Sequence, residues 1–176
     1  MSQFRPLRKL LPLALALAAA PAMAGEYSRT VFFGDSLTDS GHFRGLVPPE
    51  ARAFAGKFTT NPALVWSEQL AQHYGTNASP AVDGGDNYAQ GGSRAAVPNA
   101  PADSTLSQVQ AYLGANGGRA DGSALYTVWT GANDIFAISD GAPVDATIAA
   151  AVGGTVQAGG ALDAAGARYI LVPNLP

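Results

Sequence analysis

The chain has 176 residues, enough for one domain with a core, and no cysteine, which excludes thiol catalysis, disulfides and thiolate metal sites. Charged residues make up 13% of the chain, against 21 glycines and 12 prolines, with a formal net charge of −3. Such a composition excludes a charged disordered chain, and the absence of a basic patch excludes nucleic acid as a partner.

Residues 1–24 form a category of their own. Arg5, Arg8 and Lys9 precede an apolar run, Leu10 to Ala20, interrupted only by Pro12. Ala22-Met23-Ala24 then supplies a small-x-small cleavage pattern before Gly25. This is the pattern of a secretory signal peptide, and the run is shorter than the roughly 20 residues a membrane span needs. The expected destination is the periplasm, the cell surface or the extracellular medium. Removing the three basic residues of this segment leaves 7 Lys and Arg against 13 Asp and Glu, a net charge of −6 on residues 25–176.

Tyr27 to Phe33 reads as the first strand, driving into Gly34-Asp35-Ser36. That places the Ser36 hydroxyl at the carboxyl edge of a sheet, where open α/β folds bind ligands, and makes Ser36 a candidate nucleophile. Residues 35–60 form a connection long enough to shape a site. Thr60-Asn61-Pro62 predicts the start of a helix, with Pro62 in its first position. Leu64, Val65, Leu70, Ala71 and Tyr74 form its apolar stripe, and Gly75 ends it. Trp66 reads as packing. Asp83-Gly84-Gly85-Asp86 reads as a turn, well short of a calcium loop.

Asn87 to Arg94 predicts a short strand running into a glycine-rich loop. Asp103 or Ser104 caps a second helix reaching about Leu113, with Leu106, Val109, Tyr112 and Leu113 facing inward. Residues 124–130 form a strong strand ending at Gly131-Ala132-Asn133-Asp134. Tyr126 and Trp129 read as core rather than as an acyl pocket. Pro143 to about Gly166 is an Ala/Gly-rich helix whose continuity is weakened by Gly153-Gly154 and Gly159-Gly160. Arg168 to Val172 is a strand of the buried type. The alternation of strands and helices predicts a parallel sheet covered on both faces, with three glycine-bearing loops at one edge.

A serine that attacks an ester needs a base for its proton and donors for the oxyanion. The backbone N–H of Ser36, a glycine N–H at Gly92 and the side-chain amide of Asn133 are donors of the right kind, each after a predicted strand. Asp35, Asp39 and Asp134 are read as loop-orienting groups, outside the catalytic set.

Gly34-Asp35-Ser36-Leu37 resembles the first block of the GDSL, or SGNH, lipase/esterase family. Asn87-Tyr88-Ala89-Gln90-Gly91-Gly92 resembles the second block and Gly131-Ala132-Asn133-Asp134 the third, in order and at fitting separations. Phe58-Thr59-Thr60-Asn61-Pro62 with Trp66 resembles the segment between the first two. The resemblance spans most of residues 28–176. It implies an α/β fold, a flavodoxin-like three-layer α/β/α sandwich with a mostly parallel sheet. It also implies ester hydrolysis through a Ser36 acyl-enzyme, with Ser36, Gly92 and Asn133 as the oxyanion hole. Gly91 is the alternative to Gly92. No metal or organic cofactor is implied, and the partner is a small ester or lipid. The chain is similar above all to secreted bacterial esterases carried as autotransporter passengers, in which a C-terminal β-barrel provides outer-membrane anchoring.

The family's base comes from a late Asp-x-x-His block. The two histidines here do not offer it. Asp39-Ser40-Gly41-His42 has the bare spacing but directly follows the nucleophile, and His73 lies near the end of the first helix, where a structural role is expected. The expectation is therefore a fold incomplete at its C-terminus, with nucleophile and oxyanion donors present and the acid–base pair beyond residue 176. The alternative is a non-catalytic exported domain or decayed esterase with a binding role.

Overall fold

A computed structural model of the chain describes residues 25–52, 55–59 and 63–175. The expected signal peptide and the Thr60-Asn61-Pro62 helix opening lie outside the described residues.

Among the described residues, three parallel strands form the sheet, in the spatial order β1 (Thr30–Gly34), β2 (Leu125–Trp129) and β3 (Tyr169–Leu171). Phe32 pairs with Thr127, and Tyr126 with Ile170. Parallel neighbours need crossovers, and helices α2 (Thr105–Ala115), α3 (Ala132–Ser139) and α4 (Val144–Ala164) lie in those connections.

Period-two alternation along β1 divides the core into two. Val31 and Phe33 point to one face, where they pack with Val109 and Tyr112 of α2 and with Ala158 and Leu162 of α4. Phe32 points to the other, against Ala71 and Leu70 of α1 (Trp66–His73) and the Trp66 ring at 5.7 Å. The result is the expected α/β/α layering on an open sheet, and each of the three β1 side chains is fully buried.

Several elements differ from the sequence reading. The first helix begins at Trp66, and the described residues 63–65 before it are not helical: Val65 is extended, and the Glu68 carboxylate reaches back to its N–H at 3.0 Å. A glutamate at the third helical position thus sets the start. Residues 87–94 are not a regular strand. The chain from Asp86 to Gln90 runs beside β1, with the N–H groups of Tyr88 and Gln90 donating to Phe32 and Gly34 carbonyls at 2.8 and 3.1 Å. The chain then leaves the sheet in the Gly91-Gly92 turn. α2 runs past the expected end near Leu113, through Gly114 to Ala115, before Gly117 and Gly118 turn the chain with positive φ.

The separate helix α3 was not anticipated. The glycine pairs do not interrupt α4, which is continuous over 21 residues. Gly154 has a packing reason: a Cβ there would lie 2.7 Å from the Ala96 Cβ, so the helix seats directly on the loop after the second motif. β3 is not a buried strand. Tyr169 and Leu171 are 48% and 43% exposed, because β3 is the edge strand among the described residues.

Candidate active site

Gly34 ends β1 with φ +153°, and a Cβ at that position would stand 2.3 Å from the Trp129 carbonyl oxygen of β2. Only glycine lets the two strands stay paired while the chain turns into Asp35 and Ser36. Gln108 of α2 clamps this turn. Its side-chain carbonyl accepts the Gly34 N–H, and its amide donates to the Gly34 carbonyl, both at 2.9 Å. The same amide reaches the Ser93 hydroxyl at 2.8 Å, which couples the first and second motifs through one buried side chain.

Ser36 is half-buried and lies in a cleft of about 220 Å³ with Asp39, Phe43, Phe58 and Gly91 among its walls. Neither its backbone N–H nor its hydroxyl is hydrogen-bonded to another described residue.

Asp39 fixes the loop that follows. One carboxylate oxygen accepts the N–H groups of Gly41 and His42 at 2.7 and 2.6 Å. The other accepts the Gly91 N–H at 2.8 Å, across to the second motif. Gly91 is thereby committed, and it stands so near that a Cβ on it would be 3.8 Å from that of Ser36. The N–H of Gly92 takes no partner among the described residues, and its φ is +91°.

Asn133 sits in the first turn of α3, directly beyond β2. One N–H of its amide donates to the Ser93 carbonyl at 2.8 Å, which leaves the second N–H available. Asp134 accepts the Arg94 guanidinium at 3.1 Å and the Ala95 N–H at 2.9 Å, tying the third motif to the second. Asp35 is buried, and burial pushes its carboxyl up to about 6, with the Asp134 charge adding to the rise and the Leu37 N–H opposing it. The three aspartates therefore orient loops.

The histidines contribute no base contact. His42 opens a short 3-10 turn, stacks edge-on against Phe43 at 4.6 Å, and its buried Nδ1 has no partner among the described residues. No hydrogen bond joins it to Ser36. His73 is exposed at the end of α1, edge-on to Tyr74 at 4.8 Å. Asp86, at the end of the turn read at residues 83–86, is ion-paired with Arg29.

Two positioning residues escaped sequence reasoning. Gln108 shares the inward face of α2 with Thr105 and Tyr112, and a polar residue on an apolar face was the available signal. Asn87 is buried and donates to the Thr38 carbonyl at 2.8 Å, pinning the second motif to the loop after Ser36. Tyr126 is core, as expected, with its hydroxyl 2.9 Å from that of Tyr112.

The profile of the GDSL-like lipase/acylhydrolase family matches residues 30–176. This chain belongs to that family. It is 30% identical to Lipase 1 of Photorhabdus luminescens over 93% of its own length and 24% of that protein's. Against the phosphatidylcholine-sterol acyltransferase of Aeromonas hydrophila it is 30% identical over 92% of its length and 50% of the other's. A Pseudomonas putida protein encoded in the trpE-trpG intergenic region, itself uncharacterised, is 34% identical over 95% of the chain and 31% of its own length. The chain thus spans a quarter to a half of the curated relatives it matches. The family relationship agrees with the open parallel sheet and its two helical layers.

Proposed function

We propose that this chain carries the nucleophile and the oxyanion site of an exported serine esterase acting on carboxylic esters or lipids. The observation that carries the reading is the free Ser36 hydroxyl in a cleft at the carboxyl end of β1. In the proposed reaction a base takes the Ser36 proton as Oγ attacks the ester carbonyl. The N–H groups of Ser36 and Gly92 and the free amide N–H of Asn133 receive the oxyanion. Collapse expels the alcohol, and water then hydrolyses the acyl-enzyme. Gly92 is preferred to Gly91 as donor because the Gly91 N–H is spent on Asp39.

The base is assigned to an Asp-x-x-His block carried by polypeptide beyond this sequence. What supports this is that neither His42 nor His73 bonds to Ser36. Export by residues 1–24, and outer-membrane anchoring of an autotransporter passenger by a C-terminal barrel, belong to the same proposal.

The test is hydrolysis of p-nitrophenyl butyrate by this chain and by a longer form carrying such a block. The longer form is expected to turn over and to lose on the order of 10⁴–10⁶-fold in kcat on Ser36→Ala. Turnover by the 176-residue chain that is lost on both Ser36→Ala and His42→Gln would make His42 the base instead.

A further inference from the structure

The connection that follows Ser36 builds more than a passive rim. Phe43 and Phe58 come from two separate stretches of it, and both line the Ser36 cleft. Phe58 is 68% exposed, so its ring is open to a ligand entering the cleft.

The two stretches are braced to each other and to α1. Gly56 takes φ +96°, and a Cβ there would lie 3.0 Å from the Arg44 side chain, so residues 55–58 press directly on the 3-10 turn that carries Phe43. Lys57 bonds both carboxylate oxygens of Glu68 at 2.6 and 2.8 Å. This pair is mostly shielded from water, and Glu68 is itself held by the Val65 N–H. Both rings are therefore carried on anchored backbone at the cleft that holds Ser36.

We propose that Phe43 and Phe58 form the acyl-chain subsite of the Ser36 cleft, whose aromatic walls they supply. A straight acyl chain leaving Ser36 gains apolar contact until it passes Phe58, beyond which it runs out into solvent.

This assignment rests on the esterase reading, so its test has one arm that needs no turnover. In a Ser36→Ala background, binding of p-nitrophenyl esters from acetate to decanoate is measured by saturation-transfer NMR. Affinity should rise by up to about fourfold per methylene until the chain passes Phe58 and then level off. Phe58→Ala should flatten that rise, and Phe58→Trp should move the plateau to shorter chains. In the catalytic arm, the ratio of kcat/KM for hexanoate over acetate should fall about tenfold in Phe58→Ala. Binding that follows acyl length while no form turns over would sink the esterase reading and leave the subsite standing. A length dependence untouched by Phe58→Ala, or one that follows the alcohol and not the acyl chain, overturns the subsite.

Discussion

β1 and β3 are parallel strands of one sheet and are both apolar, Thr-Val-Phe-Phe-Gly and Tyr-Ile-Leu, yet their surroundings are opposite. β1 has β2 on one side and the 86–90 segment on the other, with α1 below and α2 and α4 above, and no residue of it is exposed. β3 pairs on one side only, and its end merges into an exposed apolar region. There Leu175 meets Ile148, Val152 and Val156 of α4 around a groove of about 410 Å³. Burial is thus a property of neighbours more than of composition. The buried strand leads straight into the turn that bears the candidate nucleophile, so that turn starts from backbone fixed on both sides.

The contrast can be broken or sharpened by substitution. Phe33→Ala should cost about 3–5 kcal/mol, read as the shift in urea midpoint, since α2 and α4 close over that ring. A loss no larger than that of a β3 substitution would undo the comparison.

Asp35→Asn should act in the other direction. The carboxyl of Asp35 sits at about 6 in the folded chain, against about 3.9 when unfolded. The native state binds the extra proton between those values, so the wild-type contribution is full below about pH 4 and is lost as pH rises through 6. The asparagine variant should gain roughly 2–3 kcal/mol relative to wild type at pH 7 and nothing at pH 3.5. Denaturation midpoints at four pH values decide it, and a constant difference across them would refute the assignment.

Asp39→Asn puts an NH₂ where a carboxylate oxygen accepts an N–H, at a cost of about 1–3 kcal/mol. Faster hydrogen exchange at Gly91 should accompany the loss. Protection left unchanged would show that the cross-loop bond does not hold the second motif. The smallest effect is expected at Leu171→Ala, below about 1 kcal/mol, because that side chain already meets solvent.

The sequence by itself determined the strand-and-helix alternation, the three motif loops at one sheet edge and the choice of Ser36, Gly92 and Asn133 as the residues to watch. Those readings depend on local rules: apolar periodicity, glycine where the backbone must turn, and residue types suited to nucleophile and donor. The tertiary structure alone decided which glycine N–H is free, since Asp39 and Gly91 lie 52 positions apart and nothing local announces their bond. It likewise decided that Gln108 ties two motifs together, that Gly154 is a contact point rather than a helix break, and that β3 stands at an edge. In each case the deciding partner is distant along the chain, and only folding brings it within hydrogen-bonding or van der Waals reach.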